Sequence, residues 1–242
     1  MNRTLVWDIP TRLFHWLLAG SFLGAFAIAQ LVDDHSAAFA IHMLLGGAAV
    51  FMVLLRIVWG FVGSRHARFR DFALSPGALV AYLKGQLTGG AKRYAGHNPG
   101  TSYAALVMFV LLLGLGVTGA FMGSVGEVFE EVHEVLGWAM IVVVVAHLTG
   151  VVIHSVRHKE FITRSMIDGK KQAEPSEAIR NAHPAVGVVF LVLTGLWSWG
   201  LVSNYDAASS TLRVPLTGQT LPIGEGEEHG EHDDHEARDE RH

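Results

Sequence analysis

The sequence predicts an all-α integral membrane fold, a four-helix bundle with a fifth transmembrane helix added to it. Three observations predict this: long apolar blocks without charge, basic residues gathered into alternate connections, and histidines recurring at matching depths within the blocks. Half of the 242 residues are apolar and 17% are charged, and the apolar ones run together. A water-soluble helix must interrupt its apolar face every turn or two. These blocks do not, so all their faces must meet lipid or protein.

Crossing about 30 Å of hydrocarbon takes roughly 20 helical residues. The first segment, Leu13–Val32, is longer than the core of a signal peptide and ends in Asp33-Asp34 without a cleavage pattern, so a retained span is expected. Ile41–Val62, Tyr103–Met122 and Leu136–Val156 also pass the length test. The fifth, Ala185–Val202, is shorter but uncharged, with Trp197 and Trp199 near one end as an interfacial belt would have. Between the second and third spans, Ser75–Leu87 opens with Ser-Pro and carries Leu79, Val80, Leu83 and Leu87. A short interfacial helix over residues 76–87 is expected there. The reading divides the chain into a core (1–171), a linker with the fifth span (172–203) and an extension (204–242).

Every lysine and arginine except Arg213, Arg238 and Arg241 falls at the N-terminus, towards the inner end of the second span (Arg56), between spans two and three, or between spans four and five. The connections Asp33–Ala40 and Gly123–Val135, read as loops, have none. Positive-inside then places the N-terminus in the cytoplasm and the C-terminus outside. The formal charge of −4 reflects acid concentrated in the last 18 residues. The partner implied is a lipid bilayer, with no nucleic acid. With no cysteine, thiolate-bound iron–sulfur clusters and covalent haem attachment are excluded.

Histidine within an apolar span is costly and marks function. Here there are His15 in the first span, His42 opening the second, His133 opening the fourth, and His147 within it. His133 and His147 are separated by about 40° around one helix and about 21 Å along it. Chain direction puts His42 level with His133, and His15 level with His147. Two levels of two imidazoles suit the axial positions of two haem b irons, whereas zinc or copper wants three or four ligands at one point. Gly20, Gly46, Gly47, Gly137 and Gly150 lie near these positions, as a porphyrin face against backbone requires. His154, about 10 Å beyond His147, is an alternative ligand or a contact for a propionate or lipid phosphate. His183 is a weaker alternative. His66, His97 and His158 read as ordinary polar-loop residues, and Arg12, Arg56 and Arg157 as span flanks or propionate partners.

The stretches VWDIPTRLFHWLLAGSF, IHMLLGGAAVFMVLLRIVWG, RYAGHNPG and HEVLGWAMIVVVVAHLTGVVIHSVRHKE resemble the bacterial cytochrome b561 family, grouped with the b-type subunits of nickel–iron hydrogenases. The likeness runs over about Val6 to Lys171. It implies a four-helix dihaem cytochrome of the bacterial inner membrane that exchanges electrons with the quinone pool. Its ligand positions match His15, His42, His133 and His147, paired as depth pairs them, while the hydrogenase-type spacing keeps His154 open. The resemblance also implies a quinone or quinol partner and a c-type cytochrome or other redox subunit. A homodimer is compatible with it, and oxidation of superoxide is the more enzyme-like outcome.

The fifth span and the tail depart from that pattern. The tail carries His229, His232, His235 and His242 among nine Asp or Glu, reads as a solvated acidic segment, and offers at most a weak metal site or an attraction for a basic partner. A metal-ion transporter is the rival reading. It would gather its ligands near mid-membrane, and no Asp or Glu lies inside the spans.

Overall fold

The computed structural model describes residues 2–34, 36–90 and 92–222. The tail histidines His229, His232, His235 and His242 lie outside the described residues. Five helices are long and apolar enough to cross a membrane: α1 (Ile9–Leu31), α2 (Ala40–Val62), α4 (Pro99–Val125), α5 (Glu127–His158) and α7 (Pro184–Ser203). The connecting α3 (Pro76–Thr88) and a single turn, α6 (Ser165–Asp168), complete the helices. The chain is a multi-pass membrane protein with an essentially all-α fold.

The starts of the helices follow from local chemistry. Asp8 caps α1, Ser75 caps α3 and Asn98 caps α4, each accepting a backbone N–H three residues on, and a proline stands in each first turn. These side chains satisfy N–H groups that the first turn leaves unpaired. Helix α3 turns Tyr82 and Gln86 inward, towards α4, and leaves Val80 and Leu83 exposed. That is the disposition of a helix lying along an interface.

One expected loop is absent. Residues 123–135 are almost wholly helical: α4 continues to Val125, Gly126 turns the chain at φ 83°, and α5 starts at Glu127. Glu127 and Glu130 lie in the first turn of α5, where carboxylates favour a helix N-terminus. A hydropathy window ends where charge begins, although the helix does not. His133 consequently sits two turns inside α5 and does not open it.

Small sheets were also not expected. β1 (Asn2–Leu5) pairs antiparallel with β2 (Lys170–Ala173), bringing the N-terminus beside the segment after α5 and spanning residue 171. β3 (Tyr205–Asp206), β4 (Thr211–Arg213) and β5 (Thr220–Pro222) form an antiparallel sheet beyond α7. The bundle therefore has a basic end, carrying the N-terminus and β1–β2, and a sheet end, carrying β3–β5.

α1 packs on α2 and α4 on α5, α2 also meets α4, and α7 lies against α1 and α2. The central core joins Phe14, Met52, Val53, Phe109, Leu112, Met140 and Phe190 from all five spans. Helix α5 follows α4 closely and makes no comparably close approach to α1 or α2. It is the least covered of the five.

Candidate functional site

At the sheet end, the His42 ring of α2 and the His133 ring of α5 meet edge-on, with centroids 5.9 Å apart and planes at 66°. Two imidazoles on one metal stand about 6 Å apart centre to centre, from metal–nitrogen bonds of about 2 Å and about 1 Å within each ring. The Nδ1 of each ring is engaged. His42 Nδ1 lies 2.9 Å from the Ala25 carbonyl of α1, and His133 Nδ1 lies 2.9 Å from the Thr118 hydroxyl of α4. A carbonyl only accepts, so His42 carries its hydrogen on Nδ1 and leaves the Nε2 lone pair bare. Phe39 stacks on His42 with centroids 5.2 Å apart. Gly119 lets His133 approach α4, since a Cβ there would come within 3.3 Å of the ring.

Towards the basic end, His15 of α1 and His147 of α5 are within electrostatic reach of each other. His147 Nδ1 is buried without a hydrogen-bond partner. His154 lies farther along α5, buried against His158 with ring centroids 4.4 Å apart, and its Nδ1 is also unpartnered. Lys171, Arg93 and Arg157 add positive charge around these two rings. His183 lies against Trp59 at the start of α7 and joins neither level.

The donor set fits haem. Both levels offer two imidazoles, and among the described residues no group of three or more His, Asp or Glu converges as a metal cage. A Cβ at Gly46, Gly137 or Gly150 would meet nothing within 4 Å, so open space adjoins α2 beside His42 and α5 beside His133 and His147; Gly20 is equally open but lies about 140° around α1 from His15. Gly47 is the exception: it faces Leu201 of α7 and serves helix packing.

Three expectations about the basic end change. His66, read as a polar-loop residue, is buried, and His97, read the same way, is half-buried with its Nδ1 enclosed. His97 is wedged between Trp7 and Phe72, with ring centroids at 4.8 and 4.5 Å, and burial followed by the charges of Arg56 and Lys171 pushes its pKa down to about 3. His66 Nε2 lies 2.8 Å from the Glu177 carbonyl. Arg56, read as a flank, is buried over the rings of Phe14, Phe69 and Phe109 and donates to the Ala67 carbonyl at 2.9 Å. Arg12 donates to the Ile167 carbonyl. The loop motif around His97 gave the only sequence hint of this packing.

Asp8 organises the same end. Fully buried, it accepts from Thr11 N at 2.8 Å, from Trp59 Nε1 at 3.0 Å and from the Ser64 hydroxyl. Lys171 donates to the carbonyls of Tyr94 and Gly96 at 2.7 and 3.3 Å, and burial pushes its pKa down to about 8 against the raising effect of Glu160. A cavity of about 380 Å³ opens there between Lys92, Arg93, Tyr94 and Glu177, and none of the four paired histidines lines it.

The profile of the prokaryotic cytochrome b561 family matches residues 6–169. Similar proteins include probable Ni/Fe-hydrogenase B-type cytochrome subunits. That of Rhizobium leguminosarum bv. viciae is 27% identical, over 69% of this chain and 87% of its own. That of Cupriavidus necator is 26% identical, over 70% of this chain and 87% of its own. No solved structure matches. The matched region takes in α1 to α5 with both histidine levels, and the chain belongs to the prokaryotic cytochrome b561 family, as a membrane-embedded b-type cytochrome related to hydrogenase cytochrome subunits.

Proposed function

We propose that the protein is a dihaem b-type cytochrome, with His42 and His133 holding one haem and His15 and His147 the other. The observation that carries the proposal is the 5.9 Å separation of the His42 and His133 rings with both Nδ1 atoms engaged elsewhere. When bound, each haem would supply a one-electron carrier. The chain's residues present the bare Nε2 of His42, hold the rings in place through hydrogen bonds from α1 and α4, and keep the apolar spans between the two levels dry. Lys171 and Arg93, near His154, offer positive charge to a propionate at the basic end.

We further propose that the protein moves single electrons between the quinone pool and a redox partner, either a c-type cytochrome or another subunit of an oxidoreductase. The relatives' hydrogenase association favours a subunit role. The clustering of lysine and arginine at one end orients that end to the cytoplasm of a bacterial inner membrane, with the sheet end in the periplasm.

Purified protein reduced with dithionite should show sharp haem b bands, with two haems per chain by pyridine haemochrome. His42→Ala and His133→Ala should each lose the same haem, His147→Ala the other, and His154→Ala neither. A colourless folded wild-type protein overturns the proposal, and loss of the basic-end haem in His154→Ala overturns the assignment of His147.

A further inference from the structure

We infer that Thr118 is a positioning residue that fixes the tautomer of His133 and holds the sheet-end centre at a lower redox potential than the basic-end one. The inference rests on the haem reading above and deepens it.

Thr118 is buried on an otherwise apolar stretch of α4. A hydroxyl has one hydrogen and two lone pairs. The hydrogen goes back to α4, where Thr118 Oγ1 donates to the Gly114 carbonyl at 2.9 Å, with the Leu115 carbonyl at 3.3 Å. The oxygen's lone pairs are left facing His133 Nδ1 at 2.9 Å, with the Leu115 carbonyl a second, weaker acceptor within the ring's reach. His133 must therefore be the donor in that contact, with its hydrogen on Nδ1 and a bare lone pair on Nε2. At the same level His42 Nδ1 faces a carbonyl, which forces the same tautomer by an independent route. Both rings are thus prepared to bind metal through Nε2 without any change of protonation.

The other level is built differently, since His147 Nδ1 is buried with no acceptor. An imidazole that donates its N–H to an acceptor becomes a stronger electron donor through its other nitrogen. Stronger donation stabilises the oxidised, more positive iron and lowers its potential, because hydrogen bonding around the ligands is one of the protein's means of tuning it. The sheet-end centre, with two engaged imidazoles, is the lower of the two. An electron entering there runs downhill to the basic end.

The test is a spectroelectrochemical titration of the purified holoprotein in detergent, with haem counted by pyridine haemochrome in every sample. Wild type should titrate in two one-electron waves. Thr118→Val matches the shape of threonine but removes the oxygen. It should keep two haems and move the lower wave up towards the upper one, which stays in place. Thr118→Ser should restore the wild-type lower wave. Thr118→Ala, which sets no branched side chain against the ring, is titrated in parallel and should behave as Val does. Thr118→Val or Thr118→Ala with two haems and an unmoved lower wave overturns the inference while leaving the dihaem reading standing. A shift confined to the upper wave overturns it as well. Wild type without haem removes the reading beneath it.

Discussion

Replacing Asp8 with alanine should destabilise the basic end by about 3–5 kcal/mol. The carboxylate accepts from Thr11 N, Trp59 Nε1 and the Ser64 hydroxyl while fully buried. Loss of the helix cap costs about 1 kcal/mol. The indole N–H and the hydroxyl are left without an acceptor in a buried place, at about 1–3 kcal/mol each. Asp8 is also the acid whose charge reaches buried Arg56, which would lose its counter-charge. These terms share partners and do not add fully. For a chain of this size each kcal/mol moves Tm by about 2–4 °C, so Asp8→Ala should melt about 6–20 °C below wild type. Asp8→Asn keeps the cap oxygen but turns an amide towards two donors, and should fall between. The assay is thermal unfolding in one detergent, followed by circular dichroism. An Asp8→Ala protein melting within about 2 °C of wild type would refute the idea that this carboxylate pins the start of α1, and with it the placement of His15 two turns on.

Gly46→Leu and Gly137→Leu should leave the unfolding temperature of haem-free protein nearly unchanged, because a Cβ at either position meets nothing within 4 Å. Both should lower the haem content of purified protein at the sheet end, read by pyridine haemochrome, and full loading in both would show that this space is not the cofactor's. His97 should make the protein acid-sensitive: its folded pKa of about 3 lies below the unfolded value of 6.5. The stability it contributes is complete above pH 6.5 and is lost as pH falls towards 3, by at most about 5 kcal/mol at about 1.4 kcal/mol per unit. His97→Phe should flatten that slope in melts taken across the range. Lys171 has the opposite window. With a folded pKa of about 8 against 10.5, the buried charge opposes folding below pH 8 and is relieved as pH rises to 10.5. Melts should therefore gain stability over that range in wild type and less in Lys171→Met.

The spans were legible because twenty apolar residues in a row have one use, and the approach of His42 to His133 because chain direction converts sequence position into depth. Where polar residues continue a helix, the reading failed. The glutamates of residues 127–134 look like a loop to a hydropathy scale and are helix to the backbone. The burial of His66 and His97 was invisible for a related reason. Their surroundings are assembled from Trp7, Phe72 and Glu177, which are far apart in sequence, and only the β1–β2 pairing and the short helical turns bring them together. Thr118 passed unnoticed as one hydroxyl in an apolar span. Nothing in its own segment signals that it stands beside a histidine fifteen residues later.

The fifth helix can be separated from the bundle of the other four spans by the same geometry. On α2 the contacts with α7 are made by Gly47, which meets Leu201 and accepts from Trp197 Nε1 at 3.1 Å, and by Phe51, stacked on Trp197 at 4.7 Å. Gly47 lies about 140° around the helix from His42. Helix α7 therefore braces the back of α2 and leaves the His42 face to α5. Trp197→Ala removes a stacked ring and a hydrogen bond. Lipid is as apolar as the contact it replaces, so the loss is mainly packing, about 1–2 kcal/mol. Melts should fall by a few degrees while the haem count and the reduced spectrum stay those of wild type. Loss of the sheet-end haem in this variant would mean that the brace sets the position of His42, and the fifth helix would then have to be counted as part of the haem site.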